Sequence, residues 1–334
     1  MRKLATIRKI DAIQAIEGAD AIECANVGGW HVVVKKNEFQ IGQLAIYFEI
    51  DSWIPEAIAP FLCKERREYG GVVGARLRTV KLRGQISQGL LLPLESVQLD
   101  APLQEGDDLS DMLGIQKFEA PIPAQLSGVM RGNFPSRIPK TDQERVQNLG
   151  PQLSDWVAQG LRFEVTEKLD GTSMTAYLLD GQFGVCSRNL DLLEDNTNTF
   201  WRVARELDLE GQLRAIRQAT GHDLALQGEV VGEAIQKNLY QIKGQQFFLF
   251  DVYDVQLGRH LNPAERQALP LKLNHVPILG VQKIESAAID AWLLAAEGKS
   301  ALNPKAEREG IVFKCLEQDV SFKAISNRFL LKHE

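Results

Sequence analysis

The reading of this 334-residue chain turns on residues 161–173, LRFEVTEKLDGTS. Leu161, Phe163 and Val165 alternate with Arg162, Glu164 and Thr166, the period-two pattern of a half-buried strand. Lys168 falls on the face of Glu164 and Thr166, opposite the apolar one. Lys168 and Asp170 lie two apart at the strand end and can project to one side. Gly171 then allows a tight turn that brings backbone close to a phosphate. Such an arrangement suits a lysine nucleophile attacking phosphorus beside a carboxylate that holds a metal. It requires a neutral amine, which neighbouring cations or a metal can supply by lowering the lysine pKa. Taken alone, these few residues read better as a surface turn.

Working outward, residues 172–179 and 182–188 form two strands joined by Asp180-Gly181, a two-residue hairpin signal. With 179 opposite 182, the register carried onward sets Arg188 across from Ser173. Upstream, Thr141-Asp142-Gln143-Glu144 is a capping box that predicts a helix start, and Gly160 predicts its end. Helical periodicity occupies 198–220 and 286–297, and strands are expected at 223–230, 246–255, 309–316 and 320–325. Residues 114–140, with Pro121, Pro123, Pro135 and Pro139, read as a linker. The first third has short apolar runs at 22–34 (broken at Gly28-Gly29), 43–50 and 76–92, which fit a small β-barrel. The expected organisation is a barrel domain over 1–115, a linker over 116–140 and a second domain over 141–334.

Composition narrows the function classes. The chain is 44% hydrophobic and 25% charged, ordinary for a protein with real cores. Its formal charge is −6, so nucleic-acid contact must come from local basic patches rather than net charge. Cys24, Cys63, Cys186 and Cys315 are dispersed, which argues against a zinc ribbon or disulfide framework and suits a reducing compartment. No apolar run approaches a membrane span, and no h-region follows Met1-Arg2-Lys3-Leu4, so a soluble cytoplasmic protein is expected. Gly298-Lys299-Ser300 resembles the end of a P-loop, but Leu293 stands where its first glycine belongs. No dinucleotide-binding or serine-hydrolase signature occurs.

Lys168-Leu169-Asp170-Gly171 resembles motif I of the covalent nucleotidyltransferases, the ligases and mRNA capping enzymes. Further matches follow in the family's order. They are Ser187-Arg188-Asn189, Gln227-Gly228-Glu229, Phe250-Asp251, Glu309-Gly310-Ile311-Val312-Phe313-Lys314 and Ser321-Phe322-Lys323. Many relatives carry Lys-x-Lys at the last of these; here one lysine stands, so Lys314 and Lys332 are candidate partners for Lys323. DNA ligases and capping enzymes place an oligonucleotide-binding (OB) barrel after this motif. Only about a dozen residues follow Lys323, and the apparent barrel precedes Lys168. That order resembles the ATP-dependent RNA ligases of the Deinococcus–Naegleria type, as does the segment from Pro139 to Asn148.

The resemblance implies an α+β protein, an N-terminal OB-like β-barrel followed by a nucleotidyltransferase domain of antiparallel sheets flanked by helices. It implies ATP and Mg²⁺ or Mn²⁺ as cofactors and a lysyl-AMP intermediate on Lys168. RNA 3′-OH and 5′-phosphate ends would be joined at nicks in RNA-containing duplexes by a monomer without a protein partner. Asp170 and Glu309 are implied to hold the metal, through waters, and Lys314 and Lys323 to neutralise phosphate. Glu229 would take the ribose hydroxyls and Phe250 the base, with Glu167, Arg188 and Arg145 completing the nucleotide site. Each also has an ordinary explanation: Glu229 and Glu309 as strand-end charges, Phe250 as core beside Phe248 and Val252, Arg188 as a cross-strand charge. Two other functions stay open, a guanylyltransferase with another acceptor and a catalytically silent RNA-binding protein.

Residues 70–94 carry Arg76, Arg78, Lys81 and Arg83 and no acid. In a regular strand 76 and 78 face away from 81 and 83. A bulge near Thr79-Val80 would gather all four on one face, a candidate RNA-backbone contact; a solvated edge strand is the alternative.

Overall fold

The computed structural model describes residues 3–97, 102–119, 129–285 and 287–333. Contacts divide the chain into two compact units, Met1–Pro121 with Leu330–Glu334, and Ile122–Phe329.

The first unit is almost all β. Ala5–Lys9, Leu44–Phe48 and Leu90–Pro93 form one antiparallel sheet, and Ala12–Ala15, Ile22–Val27 and Trp30–Lys35 form another. Leu44–Phe48 explains its own unbroken apolar run. Ile46 and Phe48 enter one core with Ile7 and Ile54, while Ala45 and Tyr47 enter a second with Trp30 and Val32. A strand buried on both faces needs no alternation. Gly28 and Gly29, at φ 59° and 83°, make the turn that divides Ile22–Val27 from Trp30–Lys35. Among the described residues the strands pair as four separate sheets rather than one closed cylinder, so the barrel expectation holds for content and order but not for closure.

The expected bulge at Thr79-Val80 is absent. The 76–92 run is four strands: Val72–Arg76, then a hairpin of Val80–Leu82 and Gln85–Ser87, then Leu90–Pro93. Arg83 and Gly84, at φ 50° and 84°, form the hairpin turn. The four cations therefore share no strand face. Arg76 pairs with Asp51 and lies 4.9 Å from the Phe118 ring centroid, whereas Arg78, Lys81 and Arg83 are exposed.

Nor is 116–140 a plain linker. Gln116–Lys117 pairs with Ser52–Pro55, and Met130–Asn133 pairs with Leu190–Leu192. Pro121 and Pro123 lie outside the described residues.

The second unit holds two sheets. Five strands lead to the site in the first: β1 (Met130–Asn133), β3 (Thr172–Leu179), β4 (Gln182–Cys186), β6 (Leu224–Gly232) and β7 (Gln245–Asp254). Between them in sequence are β2 (Arg162–Lys168) of the second sheet and β5 (Leu190–Leu192) of the first. The first sheet runs β1-β5-β4-β3-β6-β7, extended by Arg259–His260. The second runs Glu144–Arg145, β10 (Ser321–Ile325), β9 (Gly310–Cys315), β2 and β8 (Ile278–Lys283). The first buries Met174, Ala176, Leu226 and Val230 against Trp201, Val203 and Leu213 of two helices, Thr199–Glu206 and Leu209–Thr220. The second buries Phe163, Phe313 and Phe322 against Trp292 and Leu293 of helix Ile289–Ala296 and Leu153 of helix Gly150–Gln159. Their other faces meet in polar contacts, and the site lies there.

The Thr141 capping box does not start a helix. Thr141 Oγ1 lies 2.9 Å from Ser173 Oγ, Glu144–Arg145 pairs parallel with β10, and the helix begins at Gly150 with Pro151 in its first turn. Gly160 ends it in the left-handed conformation, as expected.

Candidate active site

β2 places Lys168 at its end, opposite Gly310 of β9. Phe163 and Val165 enter the core, so alternation turns Lys168 into the cleft with Thr166 and Glu164. Lys168 Nζ meets Glu309 Oε1 at 2.7 Å, with side-chain exposures of 27% and 16%. Two glycines permit this geometry. A Cβ on Gly171 would stand 2.4 Å from the Val230 carbonyl oxygen, and one on Gly310 would stand 2.3 Å from that of Ala324. The Asp170 amide donates to Tyr240 Oη at 2.6 Å, which pins the turn after the lysine. Glu229 is brought alongside because Ser173 pairs with Glu229 between β3 and β6.

Three carboxylates thus surround one ammonium. Burial lowers the Lys168 pKa, but Glu309, Glu229 and Asp170 outweigh it and the net shift is upward. Of the two expected sources of a neutral amine, the nearby cation Lys323 is outweighed by these acids, which leaves a bound metal. Burial, with Glu309 adding, raises Asp170, and burial pushes Glu229 up to about 8. Glu309 Oε2 is buried and has no hydrogen-bond partner. Excess negative charge and an unpartnered carboxylate oxygen fit a divalent cation. Among the described residues no three Asp, Glu, His or Cys side chains form a metal cage, so an ion held by Asp170 and Glu309 would keep several waters, as Mg²⁺ prefers.

Lys323, opposite Val312 in β10, is held down at about 7 by burial and by Lys168 and Arg145. Its basic neighbours are therefore Lys168 and Arg145; neither Lys314 nor Lys332 is among the groups that shift it. Lys314 lies four residues along β9 from Gly310, opposite Glu164. Its ammonium pairs with Asp251 at 2.5 Å and donates to the Phe250 carbonyl. Lys314 is thus held by Asp251 and the Phe250 carbonyl. Glu167 turns to the face away from Lys168. It accepts from the Ala301 amide at 2.7 Å, and its Oε1 is buried without a partner.

A bulge sets Phe250 apart from its neighbours in the strand. Gln227 pairs with Asp251 and Gly228 with Leu249, leaving Phe250 as the extra residue of β7. Phe248 and Val252 are buried, whereas Phe250 is half-exposed beside Leu169 and Tyr240. Arg188 is not opposite Ser173. β4 ends at Cys186, where Thr175 pairs with Cys186, and the chain turns so that the Ser187 amide donates to the Leu190 carbonyl. Arg188 instead holds Asp142 at 2.6 Å and is largely exposed. Two residues near the site gave no signal in the sequence, Tyr240 and Arg266; for Glu164 alternation gave the face but not the partner.

A sequence-family profile of OB-fold domains matches residues 4–94, and the RNA ligase family profile matches residues 161–328. The chain belongs to the RNA ligase family. Its structure is similar to that of Naegleria gruberi RNA ligase in a lysine-to-methionine mutant with AMP and Mn and a lysine-to-alanine mutant with ATP and Mn. Each is 48% identical, with TM-score 0.85 and 99% of both chains covered. The same Naegleria enzyme with PPi matches at 48% identity and TM-score 0.84, over 100% of this chain and 99% of that one. Comparison with curated protein sequences gives no match. The protein is an RNA ligase, an enzyme acting on RNA ends, with an OB-fold unit ahead of the ligase unit. No helix among the described residues is long and apolar enough to cross a membrane.

Proposed function

We propose that this RNA ligase uses ATP and a divalent metal to seal nicks in RNA-containing duplexes through an adenylate carried on Lys168. The contact between Lys168 Nζ and Glu309 Oε1, inside a pocket of excess acid, carries the reading. Lys168 attacks the α-phosphate and pyrophosphate leaves; AMP passes to the RNA 5′-phosphate; the 3′-OH attacks and AMP leaves. Each step is a phosphoryl transfer, so the residues act by position and charge. Lys168 must lose a proton before it attacks, and Glu309 Oε1 is the acceptor in reach. A divalent ion held through waters at Asp170 and Glu309 would cancel their charge and lower the lysine's hold on that proton. Lys323 neutralises phosphate, helped by Arg145; Glu229 accepts from the ribose; Phe250, re-aimed by its bulge, stacks on adenine; Glu167, buried against Ala301, is assigned to the wall of the nucleotide site rather than to a nucleotide atom. Arg188 is assigned to phosphates at the nick. Lys314 is assigned to hold Phe250 and Asp251. We place the RNA-backbone contact of the first unit at Arg78, Lys81 and Arg83, leaving Arg76 to Asp51. The same reading has the enzyme act as a cytoplasmic monomer, with an OB domain and a ligase domain whose connecting segment is strand-paired at both ends; its four unpaired cysteines, three of them buried, suit a reducing compartment.

Sealing assays on nicked duplexes test the proposal. Joining should require ATP rather than GTP and should favour RNA at the 3′-OH side. An adduct formed only from GTP would favour the guanylyltransferase reading, and equal sealing of all-DNA nicks would remove the substrate assignment.

A further inference from the structure

Behind Phe250 lies a set of buried charges that the phosphoryl-transfer chemistry does not use. A bulge takes its extra residue out of the strand ladder. The Phe250 carbonyl accepts instead from Arg266 Nη1 at 3.0 Å and from Lys314 Nζ. Arg266 Nη2 donates to Glu164 Oε1 at 2.5 Å, and Gln267 Nε2 donates to Glu164 Oε2 at 2.9 Å. The Arg266 and Glu164 side chains are 1% and 2% exposed. Arg266 rides on a six-residue helix, Pro263–Ala268, whose Asn262–Glu265 capping box is braced by Arg259. Glu164 and Lys314 face each other across β2 and β9. One carbonyl at the bulge in the first sheet is therefore fastened to two strands of the second.

A neutral carbonyl needs only one good donor. Bringing a guanidinium and a carboxylate out of water to add a second is a poor route to stability, because desolvation offsets most of the attraction. The arrangement makes sense as a demand on position. It fixes the backbone of the one residue whose ring the bulge re-aims, relative to the strand that carries Lys168. We infer that Arg266, with Glu164 as its counter-ion, is a positioning residue for nucleobase recognition that acts through Phe250. The inference rests on the reading of Phe250 as the base platform.

The test follows adenylylation of the full-length chain with Mg²⁺ against ATP concentration. It compares the parent, Phe250→Leu, the double variant Glu164→Gln/Arg266→Met, and the triple combination. The double variant removes both buried charges and strands neither. Its KM for ATP should rise about tenfold with kcat little changed, and in the Phe250→Leu background it should add less than about twofold. A double variant with KM within about twofold of the parent overturns the inference, as does an undiminished loss on top of Phe250→Leu. An unchanged KM in Phe250→Leu itself would instead remove the base-stacking reading, and the inference with it. If the double variant does not fold, Arg266→Lys serves. It keeps the charge but loses the fork that reaches both partners, so its KM should rise; an unchanged KM overturns the inference.

Discussion

The two charged clusters of the ligase unit share the same cleft and are built on opposite principles. Around Phe250 the charges balance: Glu164 pairs with Arg266 and Asp251 with Lys314, all buried, although Arg266 Nε lacks a hydrogen-bond partner. Around Lys168 acids predominate: Glu309, Glu229 and Asp170 outweigh Lys323 at its ammonium, and a carboxylate oxygen of Glu309 has no partner. A balanced buried set has one stable arrangement and serves as a frame. An unbalanced one is poised to take up a cation and exchange protons, as phosphoryl transfer requires.

Substitutions should separate the two clusters. Glu309→Gln keeps shape and removes one charge from the reactive side. Adenylylation should fall by roughly 100-fold or more with the unfolding midpoint unchanged, and near-parental rates would dissolve the contrast. Arg266→Met strands a buried carboxylate on the framing side. It should cost about 3–5 kcal/mol in urea unfolding, most of it recovered by adding Glu164→Gln. Equal destabilisation in the single and double variants would mean that packing, not charge, is at stake.

These clusters also mark how far the sequence could be read. Strand 162–168 and the Asp180-Gly181 hairpin were legible because alternation and turn chemistry are local; Asp180 and Gly181 do take φ 51° and 79°. The nucleophile pocket was legible through its motifs. The frame was not. Glu164 and Arg266 are 102 residues apart, and nothing in a lone arginine predicts so distant a partner. The bulge at Phe250 shifts alternation by one residue inside an unbroken apolar run, where periodicity carries no signal. Thr141-x-x-Glu144 had the letters of a capping box, but Ser173 claimed the threonine hydroxyl. Arg83-Gly84 carries no turn signature, because arginine seldom occupies the positive-φ site of a hairpin turn.

A smaller effect tests the pocket through pH. Burial, Lys168 and Arg145 depress Lys323 to about 7, so its charge is present below that value and lost as pH rises through it. If it neutralises phosphate, KM for ATP should rise several-fold between about pH 6.5 and 8.5, and Lys323→Arg, which stays charged, should flatten that rise. Parallel profiles would argue against the role. The smallest effect is expected at the first unit. Replacing Arg78, Lys81 and Arg83 with Gln should weaken sealing a few-fold, most at low salt, and leave adenylylation unchanged. A loss confined to adenylylation would contradict the assignment.

The central claim, that Lys168 carries the adenylate, is tested most directly by intact-protein mass spectrometry after incubation with ATP and Mg²⁺. The parent should gain the mass of one adenylate, mapped by peptide analysis to Lys168, and Lys168→Ala should gain none. A gain that survives Lys168→Ala, or maps to another residue, would contradict the account.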